Sequence, residues 1–144
     1  MDYYEEAVFA YLTGSKSRFV NAQFELPWAN LKGGSCPDFV VVDFETRTIY
    51  VIEVCSASNV NGLIKRVINR EDRWLIPLRA HFAQLRANFQ DWPYHVTIFV
   101  REEIIESTRR KVAPYPDVSV LSLDAVVFPW RWLWDGQRAI NPLH

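Results

Sequence analysis

Only two cysteines, Cys36 and Cys55, and three histidines, His81, His95 and His144, occur in the 144 residues. They lack the paired spacing of a zinc ribbon, so a structural zinc site is excluded. No apolar run approaches the roughly 18 residues of a membrane span, and no secretory-type apolar segment follows Met1. The expectation is therefore a reducing, cytoplasmic setting, with no disulfide and no membrane partner. Net charge is only -1, from 16 Lys and Arg against 17 Asp and Glu. That excludes a polycation, and any nucleic-acid contact must come from a local basic patch. Repeats, low-complexity segments and linkers are absent too, so residues 1–144 are expected to form a single domain; either half would bury too little surface alone. What remains is ordinary for a folded chain: 49% hydrophobic and 23% charged residues, far from a disordered composition.

Hydrophobic spacing gives the order of elements. Asp2 is a plausible N-cap for a helix that carries Val8, Tyr11 and Leu12 at helical spacing and stops at Gly14. Residues 18–26 alternate loosely and predict a first strand. Two apolar runs, residues 37–44 and 49–54, are joined by a short polar link and predict a hairpin whose faces are both covered. Residues 59–88 then turn helical, with Leu63, Val67, Trp74, Leu78, Phe82 and Leu85 as the buried line and Pro77 kinking or splitting it. A strand over 94–100, a short polar helix over 102–111 and a last strand over 118–123 complete the chain. Short links demand antiparallel neighbours and a long helical crossover joins parallel ones, so the sheet is expected to be mixed. The fold class is α/β, a mixed central sheet flanked by helices in the order α-β-β-β-α-β.

The hairpin carries the chemistry. Closing it on Thr46 and Arg47 sets Glu45 opposite Thr48, Asp38 opposite Cys55 and Val40 opposite Glu53. Strand side chains alternate with period two, so Asp38 and Glu53 share a face; a four-residue loop keeps that parity and a three-residue loop breaks it. Two carboxylates at the ends of valine-rich strands repel and resist burial, and a hard divalent cation would compensate them. The same residues admit a structural reading, in which Asp38 caps its strand and Glu53 pairs with an arginine of the next helix.

The run Gly33-Gly34-Ser35-Cys36-Pro37-Asp38, followed after the hairpin by Ile52-Glu53-Val54-Cys55, resembles the PD-(D/E)XK nuclease signature. The element order resembles that superfamily's restriction-endonuclease-like core over residues 2 to 100. The resemblance implies that Asp38 and Glu53 hold one or two Mg2+ or Mn2+ ions, which polarise the scissile phosphate and activate a water. It further implies the Val54 carbonyl as a ligand and a glutamate from the first helix. Glu5 fits that place best, because Val8 and Leu12 follow it at sheet-facing spacing, with Glu6 in reserve; both also serve as favourable charges at a helix N-terminus. The signature lysine, two positions after the second carboxylate, is here Cys55. A lysine stabilises developing charge at phosphorus, which a thiol cannot do. Lys65 on the following helix is the nearest replacement in sequence and Lys32 the second, although Lys65 also fits a solvated helix surface. Cys55 as a nucleophile lacks a neighbouring histidine.

Arg66, Arg70 and Arg73 fall on one helical face, continued by Arg79 and Arg86, and could follow a phosphate backbone; Glu71 and Asp72 beside them equally fit a solvated face. Arg109-Arg110-Lys111 forms a second basic cluster. Trp130, Trp132 and Trp134 alternate with other residues in a strip suited to base stacking, a dimer interface or plain packing. The function implied is metal-dependent hydrolysis of DNA phosphodiester bonds, with specificity drawn from a homodimer or a partner protein. The competing readings are a catalytically inactive nuclease-fold protein that binds nucleic acid or protein, and a structural subunit using the tryptophan strip.

Overall fold

Asp2 starts the first helix as expected. In the computed structural model, which describes residues 1–27 and 34–127, its carboxylate accepts the Glu5 N–H at 2.8 Å and the Glu5 carboxylate accepts the Asp2 N–H at 2.9 Å. This reciprocal box satisfies two orphan donors of α1 (Tyr3–Thr13), which buries Val8, Tyr11 and Leu12 and is capped by Gly14. Strand β1 (Arg18–Ala22) ends where Gln23 adopts a φ of 52°, a left-handed bend. The strand predicted over 18–26 is therefore two pieces, β1 and the short β2 (Leu26–Pro27), which pairs with β3 (Gly34–Ser35).

The predicted hairpin forms from β4 (Phe39–Asp43) and β5 (Thr48–Cys55), but its register differs from the expected one. Asp43 faces Thr48 and Phe39 faces Ile52, leaving residues 44–47 as the loop. Asp43 explains the shift: its Oδ1 accepts the N–H groups of Glu45 and Thr46 at 2.9 and 3.3 Å, and Arg47 takes a φ of 51°. A side-chain acceptor one residue before the loop organises the turn and makes Phe44 a loop residue. Asp43 is fully buried and its Oδ2 meets Arg18 Nε at 3.4 Å, so one carboxylate serves the turn and a buried ion pair. Replacing it by alanine leaves Arg18 without that partner. Asp43→Ala is expected to lose about 3 kcal/mol in chemical denaturation; a loss under about 0.5 kcal/mol would show that the pair is dispensable.

After the hairpin come α2 (Asn61–Ile68), a π-helical turn (Glu71–Leu75), α3 (Ile76–Gln84), β6 (Tyr94–Val100), a 3-10 turn (Glu102–Ile104), α4 (Ile105–Val112), β7 (Val118–Ser122) and α5 (Leu123–Val127). Pro77 lacks the N–H that would bond the Arg73 carbonyl, and just before it the Ile76 N–H reaches back to the Glu71 carbonyl. The long helix therefore splits upstream of Pro77. Leu63, Val67, Trp74, Leu78 and Phe82 are buried as expected; Leu85, past the end of α3, is 62% exposed and does not belong to the core.

The sheet has five strands in the order β1-β4-β5-β6-β7. Its first pairs are antiparallel, and β5–β6 and β6–β7 are parallel, so the sheet is mixed. Each face carries a core. Phe39, Val41, Tyr50, Ile52 and Phe99 pack with α1 and α5 on one side, and Val40, Val42, Ile49, Val51, Val96 and Ile98 pack with α2, α3 and α4 on the other. This double covering explains the continuous apolar runs of β4 and β5. Among the described residues no helix is long and apolar enough to cross a membrane.

Candidate functional site

The ladder between β4 and β5 ends at Phe39 and Ile52, and one step beyond it Asp38 meets Glu53. The Asp38 N–H donates to Glu53 Oε2 at 3.3 Å, and the Val54 N–H donates to Asp38 Oδ2 at 2.8 Å. By strand alternation Glu53 and Cys55 lie on the face of Ile49 and Val51, beneath α2. Parity is preserved despite the altered register, because the loop gains two residues, Phe44 and Glu45, both on the β4 side, and an even change leaves facing positions on matched faces. Asp38 therefore stands against Glu53 itself rather than against Cys55. Glu5 approaches them from the first turn of α1, close enough that its carboxyl and that of Asp38 act on one another. The capping box thus serves a second purpose, since the Asp2 N–H holds one end of a side chain whose carboxyl also meets the sheet edge.

Charge in this cluster is poorly balanced. Glu53 is 5% exposed, and its Oε1 accepts from Arg66 Nε at 3.1 Å. Asp38 has two carboxylates for neighbours. Burial, followed by the charge and hydrogen bonding of Glu53, pushes its carboxyl up to about 7. Burial, then contact with Asp38, raises Glu5 as well, against the opposing hydrogen bond from the Asp2 backbone. Cys36, exposed on the approach to Pro37, reports the same field: lost hydration and the carboxylates of Glu25, Asp38, Glu53 and Glu5 all push its thiol up. Glu25 does not stand out in the sequence, whereas Cys36 lies two positions before Asp38 within the signature run.

The other residues singled out from the sequence fall as follows. Cys55 is half-buried against the apolar core of its face, with its thiol toward the Ala57 carbonyl at 3.9 Å. Lys65 is exposed, and the cation beside Glu53 is Arg66. Glu6 is exposed at the helix surface. Arg66 and Arg70 are each turned to an acidic partner, Glu53 and Asp117, and Arg73 falls in the π-helical turn beyond α2. Arg70 is held by both oxygens of Asp117, each at 2.7 Å, and lies over the Tyr115 ring. Arg73 is half-buried beside Trp74, and Arg79 pairs with Glu71 at 3.1 Å. The row is therefore no open stripe of cations. Lys32 and the strip of Trp130, Trp132 and Trp134 lie outside the described residues.

The carboxylates that converge on this edge offer hard oxygen donors, with the Arg66 guanidinium and the Cys36 thiol beside them. Among the described residues no three His, Cys, Asp or Glu side chains form a ready-made chelating group. A pair of carboxylates suffices for Mg2+, which keeps several waters and takes substrate phosphate oxygens for the rest of its shell. The Val54 carbonyl leaves its strand on the same side as the N–H that holds Asp38, as strand geometry requires, and adds another oxygen at the edge. The neighbouring carboxyl oxygens of Asp38 and Glu53 fit a hard divalent ion. No protein-family model matches the chain, and no curated protein matches its sequence.

Proposed function

We propose that the chain is a metal-dependent nuclease of the PD-(D/E)XK type, with a restriction-endonuclease-like core, hydrolysing DNA phosphodiester bonds with Mg2+ or Mn2+. One observation carries this reading: Asp38 and Glu53 meet at the end of the β4–β5 ladder, where burial and then the neighbouring Glu53 raise Asp38 to about 7. A bound divalent ion would supply Lewis-acid polarisation of the phosphate and a water of lowered pKa.

The chain's own residues prepare that chemistry. The Val54 N–H orients Asp38, leaving the second oxygen of its carboxyl turned away from that bond. Glu53 is held between the Asp38 N–H and Arg66. Glu5 reinforces the negative potential from α1, fixed by its cap bond. In the reaction a water oxygen bonds to phosphorus, the ester P–O bond breaks, and the departing alkoxide takes up a proton as the water loses one.

A second reading, a catalytically inactive nuclease-fold protein that binds nucleic acid or a protein partner, is favoured by Cys55 at the signature lysine position and by Arg66 on Glu53. Incubating supercoiled plasmid with the protein and Mg2+ or Mn2+, beside an Asp38→Ala control, separates the two. Metal-dependent nicking that disappears in the control is expected. Plasmid left intact under both metals would favour the binder.

A further inference from the structure

Arg66 and Arg70 sit one helical turn apart and treat their carboxylates differently. Arg70 closes a two-pronged pair on Asp117, with Nε and one terminal nitrogen each 2.7 Å from an oxygen. That is how a guanidinium behaves when it only ties two elements together. Arg66 touches Glu53 through Nε alone, at 3.1 Å. Its terminal NH2 groups bond no acceptor among the described residues, and its side chain is 35% exposed against 7% for that of Glu53. A Cβ added at Gly62 would lie 3.7 Å from Arg66 Nη1, so the guanidinium runs back along the first turn of α2, and no side chain at position 62 covers it. Glu53 is fully engaged while Arg66 is not.

We propose that Arg66 is an exchangeable counter-ion. It neutralises Glu53 until a divalent cation takes the Oε1 oxygen, and its planar fork then turns to a phosphate oxygen of DNA. This rests on the nuclease reading and deepens it, since it names the cation that occupies the role left open by Cys55. Lys65, exposed on the same helix, has no bond to the carboxylates. Arginine suits the exchange because a guanidinium is weakly hydrated and binds phosphate through two parallel N–H groups.

Two measurements on the full chain test it: Mn2+ binding, read from the free-ion electron paramagnetic resonance signal, and single-turnover plasmid nicking. Removing a competing positive charge should tighten metal binding, so Arg66→Gln is expected to bind Mn2+ about three- to tenfold more tightly. The same variant should nick about a hundredfold more slowly, having lost its phosphate donor. Arg66→Lys keeps the charge and loses the fork, so its Mn2+ affinity should stay within about twofold while nicking falls about tenfold. Unchanged or weaker Mn2+ binding in Arg66→Gln, or wild-type nicking by either variant, overturns the exchange. Should Arg66→Gln lose its cooperative thermal transition, the Arg66→Lys pair of values decides the matter alone. No Mn2+ binding by the unmodified protein overturns the metal reading itself, and this inference with it.

Discussion

Asp38→Asn is expected to be more stable than the unmodified protein at pH 8 while nicking DNA about a thousandfold more slowly, the scale of losing a ligand that holds the metal-bound water. The stability half follows from the raised carboxyl. An ordinary aspartate loses its proton near 3.8, whereas Asp38 keeps its own to about 7. The folded chain therefore binds that proton more tightly than the unfolded chain. The stabilisation this confers is complete below the unfolded value and is lost as pH rises through about 7, where the fold must carry an uncompensated charge. Asparagine can keep the acceptor that the Val54 N–H needs and offers a donor where two carboxylates converge. After discounting for solvent screening at this half-buried site, the gain at pH 8 should be about 1–2 kcal/mol. Below pH 4 the two proteins should melt together. On the proposed metal-dependent reading, saturating Mn2+ should reverse the order at pH 8, because the unmodified protein would gain stability from an ion that the variant would not hold. Equilibrium denaturation with and without Mn2+ gives both values. An asparagine variant less stable than the parent at pH 8 would mean that repulsion at Asp38 is not what limits this part of the fold.

Much of the scaffold was legible because it is written locally. The Asp2 cap and the Gly14 stop delimit α1 through hydrogen-bonding chemistry that needs no distant partner. The apolar runs of β4 and β5 carry their central position in their composition, since a strand with one wet face would alternate. The meeting of Asp38 and Glu53 was legible for a related reason: parity survives any change of loop length by an even number of residues. The register itself was not. Phe44 looks like a strand residue until Asp43 is seen capping the turn, and that depends on how an Asp side chain folds back on its own backbone. Similarly, β2, β3 and α5 are too short for any periodicity to show. The π-helical turn has no residue pattern of its own; Pro77 announces a break but not where the helix absorbs it.

At the site, the carboxylates could be found by type and spacing, and the structural reading that pairs Glu53 with an arginine of the next helix is met by Arg66; which cation would stand in for the signature lysine was less legible. Nearness in sequence pointed to Lys65. The helical period points instead to Arg66, because Leu63 and Val67 face the core and position 66 flanks that stripe whereas 65 lies away from it. The arginine row was assigned to one side of the helix from the same period. What spacing cannot tell is that Asp117, just before β7, waits as the partner of Arg70.

Cys55→Lys should raise metal-dependent nicking about a hundredfold, the converse of deleting one transition-state donor. Cys55 lies two residues beyond Glu53 on the same face and is half-buried against apolar neighbours. A lysine stem can lie along that apolar surface while its ammonium reaches the wetter edge, where the carboxylates collect. No hydrogen bond of consequence is sacrificed, since the thiol only approaches the Ala57 carbonyl at 3.9 Å. The new charge should also act on Asp38. A cation close to a carboxyl favours its ionised form, so the pKa near 7 should fall, which can be followed by carboxyl carbon resonances across a pH titration. These two readings separate placement from chemistry. A lowered Asp38 pKa without faster nicking would show that the ammonium arrives and that the missing cation is not what holds turnover back. An unmoved pKa in a folded variant would show that position 55 does not face the carboxylates as strand alternation requires. Combining Cys55→Lys with Arg66→Gln extends the test. If both cations serve the same phosphate, the lysine should recover the nicking lost with Arg66, and Arg66→Gln should cost well under a hundredfold in the Cys55→Lys background, leaving the double variant above the product of the two single effects.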